Sequence, residues 1–137
     1  TTKLLQEMTF GHYEGYKVRK FREELRSQLA EANKLKGEAR LKYRLAKEIE
    51  TLEEAAQRAL RFLRETTLAY PGETILVVSH GGIIRSLLLK LGWIDDFASW
   101  MKIGNLAYVI LESDGINFFI RETKGIKIKE RGEEKKE

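Results

Sequence analysis

The sequence predicts an α/β protein built on a mostly parallel sheet, and three observations carry that expectation. A continuous apolar run, Thr74-Ile75-Leu76-Val77-Val78, is rich in β-branched residues, as in a strand buried on both faces of a sheet. It leads through Ser79-His80-Gly81-Gly82 into Ile83, Ile84, Leu87, Leu88 and Leu91, which return to helical spacing. Upstream, a long helix with its own start and stop signals supplies a covering layer.

The bulk composition narrows the class. A chain of 137 residues, 42% hydrophobic and 34% charged, fits one globular domain. The 25 Lys plus Arg against 21 Asp plus Glu leave a net charge of +4, but both signs interleave over residues 17–65, which speaks against a nucleic-acid footprint. No apolar stretch reaches the roughly 18 residues that span a bilayer, and no secretory leader opens the chain. The absence of Cys removes disulfides and thiolate metal sites, so a reducing cytoplasm is expected. Two histidines far apart offer no usual metal-ligand spacing, and neither a metal nor another cofactor is expected. Thr1 is not a start methionine, so a segment upstream is expected to have been removed.

The elements follow in order. Val18, Phe21, Leu25 and Leu29 place one apolar face on a helix from Tyr16 to near Gly37. Leu41, Leu45 and Ile49 predict a second, short and charged helix. Thr51 and Glu54 form a capping-box pattern ahead of Leu52, Ala55, Ala56, Ala59, Phe62, Leu63 and Thr66, a third and longer helix that Pro71-Gly72 stops. The strand and helix described above come next, with Gly92 as terminator. After an irregular stretch from Trp93 to Gly104, Leu106–Leu111 and Ile116–Ile120 are joined around Ser113-Asp114-Gly115, a hairpin signal expected at the sheet's edge. Gly125–Glu137 starts with an alternating Ile126, Ile128 pattern and ends as a charged, frayed tail.

Chemistry concentrates where the strand meets its helix. Ligands of such sheets gather at the carboxyl ends of strands, where a helix start presents free amides. Gly81 and Gly82 remove side chains that would hold an anion off the backbone, and His80 adds a donor, so the turn suits a phosphate. In the plainer reading His80 caps the turn and the glycines only permit the bend. A serine-hydrolase elbow at Ser79 fails because Val77 stands where Gly-x-Ser-x-Gly needs its first glycine. Neither Gly-x-Gly-x-x-Gly nor a Walker lysine occurs.

The stretch Val77-Val78-Ser79-His80-Gly81-Gly82-Ile83-Ile84-Arg85 resembles the second signature of the histidine phosphatase superfamily, phosphoglycerate-mutase-like branch. Leu5-Gln6-Glu7-Met8-Thr9-Phe10-Gly11-His12-Tyr13-Glu14-Gly15 looks like that family's acid motif. Glu50-Thr51-Leu52 with Arg58, and Asn105, are weaker likenesses, and the whole spans about residues 4–112. The resemblance implies a three-layer α/β/α sandwich, incomplete at its amino-terminal side. One domain would cover 1–124, with a helical cap at about 16–50, and 125–137 would add an edge strand and tail.

It further implies Glu7 as general acid and His80 as the histidine that steadies the phosphoryl group. His12, Arg85 and Asn105 are candidates for the pocket rim, with Glu14, Ser79 and Arg85 more structural in character. The family's nucleophile lies in an Arg-His-Gly triplet, which this sequence does not contain. A missing amino-terminal segment of the same domain is expected to supply it, leaving the isolated chain inactive. The expected substrate is a small phosphomonoester, with no nucleic-acid or membrane partner. The alternatives are a non-catalytic phosphate-binding domain and a phosphoglycerate mutase. A sheet surface left exposed would favour a homodimer.

Overall fold

Five helices and one two-stranded sheet form in the computed structural model, which describes residues 1–94 and 101–128. In order they are α1 (Val18–Glu24), α2 (Arg26–Lys34), α3 (Gly37–Lys42), α4 (Leu52–Ala69), α5 (Gly81–Lys90), β1 (Lys102–Ser113) and β2 (Phe118–Lys127). Among the described residues no helix is long and apolar enough to cross a membrane.

Helix α4 starts where its capping box closes. Glu54 N donates to Thr51 Oγ1 at 3.1 Å and Thr51 N donates to the Glu54 carboxylate at 2.8 Å, so two amides of the first turn gain acceptors. Its buried face, Leu52, Ala55, Ala56, Ala59 and Leu60, turns toward α5. Ala55, Ala59 and Ile83 form one fully buried cluster, in which the alanines let the two helices approach closely. Leu41, Leu52 and Leu89 form another, bringing α3 onto the same pair. Lys90 Nζ adds an ion pair to Glu53 at 2.8 Å across the α4–α5 seam.

The cap region departs from its expected outline. The helix expected from Tyr16 to Gly37 is broken at Leu25 (φ −103°, ψ 22°), whose side chain turns into the core at 2% exposure. The helix expected through Ile49 ends at Lys42, since Tyr43 is extended (φ −68°, ψ 126°); Ile49 is nevertheless buried. Apolar spacing placed Leu25 and Ile49 inward correctly but not Val18, which is 65% exposed, and burial can be met without an unbroken helix.

The mostly parallel sheet, and with it the three-layer sandwich, is not formed. Residues 74–78, between the Pro71-Gly72 turn and α5, form neither helix nor strand; they pair with no described strand, and Leu76 is 90% exposed. Among the described residues β1 and β2 pair only with each other, antiparallel, with partners such as Ser113↔Phe118 and Tyr108↔Lys124. The physical reason is that an apolar run becomes a strand only when a neighbouring strand takes its N–H and C=O groups on at least one edge. The hairpin finds its neighbour locally: Asp114 Oδ1 accepts from Ile116 N and Asn117 N at 2.9 and 2.7 Å and folds the turn. Its strands run longer than expected and absorb Ile126, with a lapse in pairing between Ile103 and Tyr108. The expected charged tail beyond 128, and part of the irregular stretch 93–104, lie outside the described residues.

Candidate functional site

The acid segment is anchored from below. Thr2 Oγ1 accepts from Leu4 N at 3.2 Å and starts a short 3₁₀ turn, Lys3–Leu5, a cap that the opening residues do not announce. Leu5 and Met8 then pack on the Ala55, Ala59 and Ile83 cluster. Partial burial of Leu5 and Met8 leaves Glu7, which lies between them in sequence, exposed over the first turn of α5.

There Gly82 N donates to Glu7 Oε2 at 3.3 Å, across 75 residues of chain, while Met8 N donates to Glu7 Oε1 at 2.8 Å. The first-turn amides of a helix have no intrahelical acceptor and carry its positive end, so a carboxylate is favoured at this place. A Cβ on Gly82 would fall on Glu7 Oε1, so this glycine is what permits the contact. Ser79 Oγ donates to Leu5 O at 3.2 Å and joins the same two segments a second time.

His80 is the N-cap of α5, extended at φ −111° and ψ 159°, and its exposed side chain makes no capping hydrogen bond. A Cβ on Gly81 would meet nothing within 4 Å, so the space before the helix is open. Glu7, His80, Gly81 and Gly82 are thus gathered at the start of α5, on an open surface. A hollow elsewhere is lined by Val18, Arg19, Arg22, Glu23 and Arg26, none of them a candidate residue.

The remaining candidates stand apart from this cluster in their contacts. Arg85 Nη2 donates to Met101 O at 2.8 Å, and Nε is buried without a hydrogen bond among the described residues. Burial lowers the Arg85 pKa below its ordinary value, opposed by the charge of Glu7. Arg40 is buried nearby, and burial first, then the like charge of Arg85, lowers its pKa to about 10.

His12 lies in a second 3₁₀ turn, Gly11–Tyr13, where Nδ1 pairs with the Glu48 carboxylate and the ring lies 3.9 Å from that of Tyr13. That hydrogen bond is the largest cause holding the Glu48 pKa below its ordinary value. Glu14 Oε1 accepts from Phe10 N at 3.3 Å within the turn, as suits a structural residue. Asn105 is exposed on β1 where pairing lapses, and among the described residues no hydrogen bond joins it to Glu7 or to 79–82.

One hydrogen-bonded arrangement beside the candidate site escaped sequence reasoning. Arg58 Nη1 donates to Leu4 O at 2.8 Å and Nη2 to Glu7 O at 3.2 Å, while Nε and Nη2 reach Glu50 at 2.6 and 3.0 Å. Glu50 Oε2 in turn accepts from Thr9 N at 3.2 Å, and Glu50 N donates to Thr9 O at 2.9 Å. The only signal in the sequence was the weak family likeness at Glu50 and Arg58, because bonds to main-chain carbonyls leave no trace in the partner's residue type.

In comparisons with known proteins, a family model described as histidine phosphatase superfamily (branch 1) matches residues 1–124. No curated protein and no solved structure matches the chain.

Proposed function

The chain belongs to the histidine phosphatase superfamily, and on that premise we propose that it carries the proton donor, Glu7, and the phosphate-steadying histidine, His80, of a phosphomonoester-processing enzyme. The observation that supports this most directly is the Gly82 N to Glu7 Oε2 hydrogen bond, because it joins two separately recognisable motifs at one helix start.

A phosphoryl dianion would take the amides at the start of α5, where Gly81 leaves open space, and His80 would donate to its oxygens. On arrival it would displace the Glu7 carboxylate from Gly82 N. Two negative charges side by side then favour a proton on Glu7. That proton passes to the leaving oxygen as its bond to phosphorus breaks. The phosphoryl group goes to a nucleophile, and with no Arg-His-Gly in these 137 residues a phosphohistidine route needs a histidine from other polypeptide. The superfamily covers both phosphatases and mutases; the charged stretch 16–50, which resembles the shorter cap of the phosphatase branch, favours hydrolysis of a small phosphomonoester.

Inorganic phosphate titrated into the chain is expected to shift the Gly81 and Gly82 amide resonances saturably, with the effect lost in His80→Ala. Amides that stay in place at high phosphate would remove the binding site. An aryl phosphate is expected to release no more phosphate with this chain than with His80→Ala; clear release would show that the nucleophile lies within it.

A further inference from the structure

Glu7 is held at both ends: its carboxylate lies on Gly82 N of α5 and its main-chain carbonyl on Arg58 Nη2 of α4. The two helices are themselves locked by the Ala55, Ala59 and Ile83 cluster. The Arg58 fork spans a second carbonyl of the same segment, Leu4 O, and the Glu50 carboxylate fixes its plane. The side chains of Arg58 and Glu50 are only 20% and 13% exposed, so water competes weakly for the bonds to Glu50 and Leu4 O, while the bond to Glu7 O lies at the surface.

A guanidinium that merely neutralised Glu50 would have no need of Leu4 O and Glu7 O. We infer that Arg58, oriented by Glu50, is a positioning residue that sets where the Glu7 carboxyl stands over the first turn of α5. Its functional meaning rests on the reading of Glu7 as proton donor; the geometry does not. A lysine cannot reproduce the fork, since one ammonium cannot meet a carboxylate and two carbonyls in one plane. At 3.3 Å the Gly82 N to Glu7 Oε2 hydrogen bond is already long, so a small displacement of the segment breaks the contact.

The Gly82 amide resonance tests this. Glu7→Ala marks its position when the contact is lost. Arg58→Lys is expected to move it most of the way there and Glu50→Gln part of the way. Arg61→Ala, which removes an exposed pair with Glu65 on the same helix, should leave it unmoved. A lowered melting temperature alone would fit any buried ion pair, whereas the Gly82 shift would not. If Arg58→Lys does not fold, Glu50→Gln, which keeps the side-chain shape, decides. A Gly82 resonance at the wild-type position in the folded variant overturns the inference. Wild-type Gly82 that ignores phosphate removes the phosphate reading and leaves the positioning contact standing, so the two failures are separable.

Discussion

The helical body and the run 74–78 both carry large apolar side chains and are treated very differently by the fold. Between α4 and α5, Ala55, Ala59 and Ile83 have no exposed surface. In the run 74–78 before α5, Leu76 and Val78 are 90% and 80% exposed. A helix satisfies its own backbone, so an apolar face needs only another face to cover it. A strand must borrow its hydrogen bonds from a neighbour, and apolar character cannot supply one. The difference therefore lies in the backbone and not in hydrophobicity.

The largest effect should come from the packed side. Ile83→Ala removes buried methyl groups between α4 and α5 and should cost about 2–5 kcal/mol in urea unfolding. A loss well under 1 kcal/mol would mean that the α4–α5 seam is loose, and the contrast with the run 74–78 would shrink with it.

The same difference explains which features were legible. The capping box at Thr51 and Glu54, the glycine-led start of α5 and the Asp114-Gly115 turn are local, and each is realised as the residues predict. The run 74–78 was read for the environment it suits, two-faced burial, which is a statement about neighbours outside the run. In the site, Glu7 and His80 could be named from two short motifs, but the 75-residue closure onto Gly82 could be expected only through the family resemblance. The Arg58 bonds to Leu4 O and Glu7 O, and that of Arg85 to Met101 O, fall on main-chain atoms and could not be read at all.

A smaller, pH-dependent effect should appear at the Gly11–Tyr13 turn, which Glu48 ties to the 43–50 loop. Its carboxylate pKa lies below the ordinary value of 4.5, chiefly through the His12 hydrogen bond. A group lowered on folding stabilises the native state above its unfolded pKa and loses that contribution as pH falls through the folded value. The tie should therefore hold at neutral pH and weaken below 4.5, seen as movement of the His12 amide, which also donates to Glu48 at 3.4 Å. Other carboxylates, Glu53 and Glu54 among them, are also held below their ordinary value, so a global melt would not isolate this step. Glu48→Gln should remove the dependence at His12; its persistence there would assign the movement to another group.

The smallest expected change is the sharpest test of the contrast. Leu76→Ser replaces a leucine as large as any in the core, yet at 90% exposure it gives up little burial and should alter urea stability by less than about 0.5 kcal/mol. What it should change is stickiness: Ile75, Leu76 and Val78 form an exposed apolar run with unpaired edges, and such runs favour association between chains. Sedimentation at rising concentration should show less self-association in the variant, while dilute stability stays the same. Should Leu76→Ser instead destabilise the dilute monomer as much as Ile83→Ala, the run must be covered within the chain, and the difference between helix and strand drawn above would not hold.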